Sequence, residues 1–248
     1  DWTTLRDNKT KEINRLNGIY KNLLNDSGVT LYEAHARLID AHTVQVGKKT
    51  VTARYILVAT GGWPVMPDIS GIEHAISSNE AFYLPDFPDQ VTVIGGGYIA
   101  VEFAGIFAGL GAQTTLLYRG EMFLRGFDDS IRSFVKEEME KKGVELLFET
   151  EATHIHKHED GSLRLELTNG NTLTADTVLC ATGRNPKTQG IGLEDAGVAL
   201  GDNGQVLVNA DYQTNVENIY AIGDVTDRIQ LTPVAIEEAM CLSSNLFT

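Results

Sequence analysis

Cysteine is scarce in this chain of 248 residues. Only Cys180 and Cys241 occur, 61 positions apart. That excludes a disulfide scaffold and any local C-x-x-C site, and it points to a reducing, cytoplasmic compartment. Positive charge is short as well: 20 Lys and Arg stand against 34 Asp and Glu, for a net charge of −14 and a pI near 4.8. A nucleic-acid partner needs a basic footprint, so that class is excluded. No apolar run approaches the roughly 20 residues of a membrane-spanning helix, so no membrane partner is expected. The opening DWTTLRDNKTKE is polar and charged, unlike a secretory signal. The remaining composition, 42% hydrophobic and 22% charged, is that of a folded globular chain with one large domain or two small ones. Glycine alone is plentiful, at 24 residues, and its positions organise the rest.

Those positions reveal an internal repeat. Ile13, Leu16, Ile19, Tyr20, Leu23 and Leu24 recur at helical spacing over residues 11–27, and Gly28 is a natural stop. Short alternating strands follow, with a Gly47-Lys48-Lys49 turn and a buried strand YILVAT ending at Gly61. The same order returns later. Ile131, Phe134, Val135, Glu138 and Met139 lie on a helix ending KKG, capped by Gly143. Strands with hairpin turns at Asp160-Gly161 and Asn169-Gly170 follow, then the buried strand TVLCATG. Thr60 and Thr182, in the two ATG tripeptides, lie 122 residues apart. The second copy also has an earlier βαβ pattern, QVTVIGGGYIAVEFAGIFAGLGAQTTLLYR. Gly95 to Gly143 spans 48 positions, and the same distance before Gly28 falls ahead of Asp1. The expectation is that the first copy lacks its βαβ unit here and that the chain is an internal fragment of a longer protein.

The segment Gly95-Gly96-Gly97-Tyr98-Ile99-Ala100 fits G-x-G-x-x-G/A directly after the strand VTVI and at the start of a helix. Gly95 permits the tight turn and Gly97 lets backbone approach a pyrophosphate. Ala100 and Gly105 allow close helix packing, and the helix N-terminus faces the phosphates. Coenzyme choice is read at the end of the next strand, TTLLYR, where NAD enzymes place a carboxylate for the ribose 2′-OH. Here Tyr118 and Arg119 stand there, with Arg125 in the following loop. Two guanidiniums without a carboxylate suit a 2′-phosphate and hence NADPH; the alternative is two solvated surface charges.

Further on, NIYAIGD ends an apolar strand at Gly223-Asp224, where Asp224 is placed to accept hydrogen bonds from a sugar or ribitol hydroxyl. Thr232-Pro233 opens a helix, read as N-cap and first helical residue. Alone, these features are ordinary structure. The run His154-Ile155-His156-Lys157-His158 has a spacing that sets three imidazoles on one strand face. It leads into a turn, no cysteine accompanies it, and it reads as solvated hairpin surface with no metal.

Together, ATGGWPVMP, VIGGGYIAVEFAG, YRGEMFLRGFD, ATGRNP and TNVENIYAIGDVTDRIQLTPVAI resemble the pyridine nucleotide–disulfide oxidoreductases, nearest to their glutathione reductase branch with trypanothione reductases close by. The resemblance implies an α/β fold of two Rossmann-like domains with β-meanders, one inserted into the other. Residues 1–70 and 184–248 would form a partial FAD-binding domain, and residues 71–183 an NADPH-binding domain. It implies two cofactors, FAD and NADPH, and a small-molecule disulfide substrate, with hydride passing from nicotinamide to flavin where the domains meet. By the same resemblance Tyr98 covers the nicotinamide pocket, and Glu102 contacts the nicotinamide end and pairs with a flavin-side lysine outside this chain. Gly96, Ile99 and Gly183 contact the pyridine nucleotide, Gln230 lies near the carboxamide, and Arg119 and Arg125 clamp the 2′-phosphate. Ala36, Thr60 and Gly61 follow the adenosine half of FAD, Asp224 its ribitol, and Thr232 the flavin pyrimidine edge.

The departures from the family pattern are also informative. The family's C-x4-C dithiol, and the His-Glu pair of its C-terminal dimerisation domain, have no counterpart in these residues. Cys180, in the strand TVLCATG, is packing, Cys241 lies on a helix, and neither can stand in for the dithiol. Where one kind of glutathione reductase carries a glutathione-binding arginine, this chain has Met240. Glutathione, trypanothione, dihydrolipoamide and mercuric ion therefore stay open as substrates, as does a nucleotide-binding fragment without catalysis; Arg119 and Arg125 count against the NAD-using dihydrolipoamide enzymes.

Overall fold

The structure, a computed structural model, describes residues 1–248. In chain order it begins with α1 (Trp2–Asp26), β1 (Ala36–Leu38), β2 (Thr43–Val46), β3 (Lys49–Thr52), β4 (Ile56–Val58) and β5 (Gly62–Pro64). Next come β6 (Ile76–Ser77), α2 (Ser78–Ala81), β7 (Gln90–Ile94), α3 (Tyr98–Leu110), β8 (Gln113–Leu117), α4 (Asp129–Lys141) and β9 (Glu145–Leu147). They are followed by β10 (Ala152–Lys157), β11 (Leu163–Leu167), β12 (Thr172–Ala175), β13 (Thr177–Cys180), β14 (Arg184–Pro186), β15 (Ile219–Ala221) and α5 (Thr232–Phe247). No helix is long and apolar enough to cross a membrane.

The chain forms two compact units. Unit 1 comprises residues 1–19 and 64–183. Its centre is a parallel sheet of order β6-β13-β7-β8-β9. The middle strands read as unbroken apolar and threonine runs because both faces are covered: Val91, Thr92 and Val93 of β7, and Thr114, Leu116 and Leu117 of β8, are all buried. The meander β10-β11-β12 is antiparallel, and its turns carry Gly161 and Gly170 at φ +91° and +82°, as Asp-Gly and Asn-Gly hairpins require. In α4 the Asp128 side chain accepts the Ser130 N–H as N-cap, and Lys142 is the C-cap, so Gly143 at φ +84° lies one residue past it. The apolar face expected for α4 is only half used. Met139 is buried, whereas Ile131 and Phe134 are 54% and 63% exposed.

Unit 2 comprises residues 20–63 and 184–248. It repeats the scheme with fewer strands: a meander β1-β2-β3, a parallel pair β15-β4, and the short pair β14-β5. Thr60 and Thr182 play equivalent parts in their own units. Thr60 Oγ1 donates to the Lys187 carbonyl and Thr182 Oγ1 to the Val65 carbonyl, each at 2.8 Å.

The division differs at one end from that implied by the resemblance, because residues 1–19 and 64–70 fall in unit 1. The N-terminal half of α1 is anchored there: Trp2 Nε1 donates to the Leu84 carbonyl at 2.9 Å, the Trp2 ring packs on Phe87, and Arg6 donates to the Pro85 carbonyl. The helix also starts well before residue 11, and none of its residues is buried.

Candidate functional site

In unit 1, β7 runs into Gly95-Gly96-Gly97 and out into α3. Gly95 has φ +150°, and a Cβ there would lie 2.3 Å from the Ala181 carbonyl oxygen, so only glycine fits between the ends of β7 and β13. A Cβ on Gly96 would strike the Tyr118 ring. Gly97 is different: it is the N-cap of α3, nothing lies within 4 Å of its Cβ position, and no side chain caps the helix. Its outer side is open to a group approaching the first turn, where uncapped N–H groups and the helix dipole favour an anion. Ala100 is fully buried, close to Gly95. Gly105, expected to serve close packing, instead faces open space, and the buried small residue one turn after Ala100 is Ala104. Ile99 packs its side chain on the core, leaving its backbone at the loop. Tyr98 and Glu102, one turn apart and both exposed, share a face of α3. Gly183, at φ +141°, follows β13, and its carbonyl accepts the Val65 N–H.

Arg119 and Arg125 flank the loop after β8. Both are exposed, and no ion pair, hydrogen bond or ring contact engages either one. The other eight arginines all have such a partner. In a chain with this excess of carboxylates, two unengaged guanidiniums at the ends of one loop are a local exception. The loop between them is ordered. Leu124 is buried in a left-handed conformation at φ +55°, and its N–H donates to the Gly96 carbonyl at 2.6 Å. The Arg132 guanidinium of α4 donates to the Met122 and Phe123 carbonyls, both at 2.8 Å. Neither Leu124 nor Arg132 was legible in the sequence, because nothing local marks a leucine for positive φ or an arginine for carbonyls nine and ten residues back.

In unit 2, β15 leads into a 3₁₀ turn, Gly223–Thr226, which begins with Gly223 at φ +71°. Asp224 is half-buried, and its carboxylate has no hydrogen-bond partner in the chain. Thr232 is the first residue of α5, and the N-cap is Leu231, whose carbonyl accepts the Ala235 N–H. This corrects the expected N-cap by one residue: the extended backbone at Leu231 closes the turn, and the exposed Thr232 hydroxyl caps nothing. Glu238, one and a half turns along α5, is buried and accepts the Gly223 N–H at 2.7 Å, a tie the sequence did not announce. Gln230 donates to Asp227 Oδ1 at 3.0 Å in this unit. Gly61, at φ +71°, accepts the Lys187 N–H through its carbonyl, and Ala36 opens β1 opposite Val46.

The histidine run does not place three rings on one face. β10 ends at Lys157, leaving His158 in the turn, and a register shift interrupts the strand before His154. The His154 and His156 rings stack with centroids 3.8 Å apart, and His156 Nε2 meets Glu166 Oε1 at 3.0 Å. Arg164 and His156 together hold the Glu166 carboxyl below its usual range. Cys180 is buried in the sheet core and Cys241 is exposed on α5.

A glycine loop of this form at the carboxyl end of a parallel sheet gives unit 1 a Rossmann-type fold, in an α/β protein whose second unit repeats its plan. Comparison with known proteins gives the family. The pyridine nucleotide-disulphide oxidoreductase model matches residues 3–239, and the chain belongs to that family. It is 46% identical over 247 residues to a chloroplastic/mitochondrial glutathione reductase of Pisum sativum, covering 100% of this chain and 45% of that protein. It is 42% identical to a glutathione reductase of Burkholderia cepacia, covering 99% and 55%, and 43% identical to a trypanothione reductase of Leishmania donovani, covering 98% and 52%. Among solved structures, the Cu(II) complex of the HOCl-induced flavoprotein disulfide reductase RclA from Escherichia coli superposes with a TM-score of 0.93 at 28% identity, covering 100% of this chain and 57% of that one. The chain thus spans about half the length of the curated relatives it matches.

Proposed function

We propose that the chain forms the nucleotide-binding part of an NADPH-dependent, FAD-linked disulfide reductase acting on a glutathione-type disulfide. The observation that carries the coenzyme choice is the pair of unengaged guanidiniums, Arg119 and Arg125, beside the glycine loop. The open side of Gly97 and the uncapped α3 terminus fit a pyrophosphate. The unpartnered Asp224 carboxylate and the free Thr232 hydroxyl at the α5 terminus fit a flavin dinucleotide in unit 2.

Bound together, the two cofactors supply the hydride chemistry that reduces a dithiol and then a disulfide. The chain's own contribution is placement. Arg119 and Arg125 grip the 2′-phosphate by charge-assisted hydrogen bonds. Tyr98 and Glu102, on one face of α3, orient the nicotinamide end and exclude water from it. Gly183 lines the coenzyme's course. Ala36, Thr60 and Gly61 follow the adenosine half of FAD. Asp224 accepts from ribitol hydroxyls, and the α5 terminus adds positive potential at the pyrimidine edge. The natural protein would act as a homodimer in a reducing cytoplasm.

The test is the R119Q/R125Q double variant of the natural protein. Two charge-assisted hydrogen bonds are worth about 1.5–3 kcal/mol each, so NADPH binding should weaken roughly 100-fold or more while NADH is little changed. Equal losses for the two coenzymes would refute the NADPH reading. Met240, exposed on α5 where an arginine was expected, supports trypanothione disulfide as a second substrate reading. Rates of NADPH oxidation with glutathione disulfide and with trypanothione disulfide decide between them.

A further inference from the structure

We propose that Arg132 is the positioning residue of the 2′-phosphate site: it holds in shape the loop that carries Arg125 and does not itself bind the coenzyme. This inference rests on the NADPH reading of Arg119 and Arg125.

The Arg132 side chain is only 19% exposed, and its guanidinium is committed inward. Nε donates to the Phe123 carbonyl and Nη2 to the Met122 carbonyl, both at 2.8 Å. Nη1 pairs with Asp129 Oδ1 at 2.6 Å, one turn earlier on α4. The Met122 and Phe123 carbonyls accept no other hydrogen bond. Arg132 therefore acts as a two-pronged donor on consecutive carbonyls, a task that suits a planar guanidinium and not an ammonium.

The backbone at this point needs holding. Immediately after Phe123 comes Leu124, a branched residue in the left-handed region at φ +55°, followed by Arg125 and then Gly126 at φ +93°. Such a conformation persists only where the surroundings over-determine it. Three things do so here: the buried Phe123 and Leu124 side chains, the Leu124 N–H on the Gly96 carbonyl at 2.6 Å, and the Arg132 fork on the two preceding carbonyls. The loop is thereby tied to the glycine loop on one side and to α4 on the other, and Arg125 is presented from a fixed backbone. Without the fork the loop would have to be ordered by the ligand, and the cost falls on the 2′-phosphate contact alone. Arg132 is thus a determinant of coenzyme choice acting through Arg125.

Binding of adenosine 2′,5′-bisphosphate and of 5′-AMP to the whole chain, measured by calorimetry, tests this directly. The two probes differ only in the 2′-phosphate. Wild type should prefer the bisphosphate; equal affinities there would overturn the NADPH reading, and this inference with it. If wild type shows the preference, R132Q should lose about tenfold for the bisphosphate and less than twofold for 5′-AMP, and amide exchange at residues 122–126 should quicken. An R132Q that keeps the full preference, or that weakens both probes alike, overturns the inference while leaving the NADPH reading intact. Should circular dichroism show R132Q unfolded, D129N decides. Asp129 is 90% exposed and orients Nη1, so D129N should lower the preference two- to threefold, and an unchanged preference overturns the inference.

Discussion

The Cys180 thiol lies in β13 with 1% of its residue surface exposed, and burial pushes its pKa from an ordinary 9 up to about 12. This group links stability to pH in a definite direction. An unfolded chain loses the proton near pH 9, whereas the folded chain keeps it until about 12. Between those values the unfolded state binds fewer protons, so stability falls as pH rises; below pH 9 the group contributes no slope. Urea unfolding of wild type and C180A at pH 8 and pH 10 isolates the effect. The stability advantage of wild type should shrink by about 1.4 kcal/mol between the two pH values. An advantage constant over that range would show that the thiol ionises freely in the fold. Exposed Cys241 provides the internal contrast, since it should react with thiol reagents in the native protein while Cys180 stays masked.

Elements carry the next level of specificity, and α5 illustrates it. The helix meets the 3₁₀ turn at Gly223, where an added Cβ would come within 3.3 Å of Ala235, and Glu238 accepts the Gly223 N–H. Replacing Glu238 by alanine leaves that donor without its partner and should cost about 1–3 kcal/mol of unfolding free energy. E238Q keeps an acceptor oxygen and should cost clearly less. Similar losses in both variants would mean that the charge, not the hydrogen bond, matters. Much of this architecture was legible from local pattern. The β7–glycine loop–α3 unit, the Asp-Gly and Asn-Gly hairpins and the two ATG strands each announce themselves within a few residues, because turn chemistry and strand burial are local constraints. What escaped depends on partners distant in sequence. The first half of α1 is claimed by Leu84–Phe87, about 80 residues on. Gly105 resembled a packing glycine because helical spacing says which residues share a face, but not whether another element covers it. Thr232 passed for an N-cap because threonine before proline is a good local signal, and only the backbone at Leu231 shifts the start by one. At the proposed site, the place of Arg119 and Arg125 after a strand could be read from the sequence. Arg132 and Leu124 could not, because their roles exist only once the loop is folded.

For the whole molecule, the distribution of apolar cores fixes how it should come apart. Four buried clusters occur, and each is drawn from one unit alone. Two lie in unit 1, around Phe107 with Leu116 and around Ile155 with Leu165; two lie in unit 2, around Leu193 with Ile219 and around Tyr220 with Leu242. Each unit therefore has apolar cores of its own. The units are also unequally built. Unit 1 has a five-stranded parallel sheet, whereas the parallel sheet of unit 2 has two strands, and Leu57 of β4 stays 48% exposed between buried Ile56 and Val58. Less apolar surface withdrawn from water means less to oppose chain entropy, so unit 2 should melt first. A ligand that binds only folded unit 1 then acts as a label. Adenosine 2′,5′-bisphosphate at 100 times its dissociation constant stabilises its binding unit by about 2.7 kcal/mol. Scanning calorimetry should therefore resolve two transitions, of which only the upper moves to higher temperature with the ligand. A single transition that shifts as a whole would show that the units unfold as one, and a shift of the lower transition alone would put the nucleotide site in unit 2.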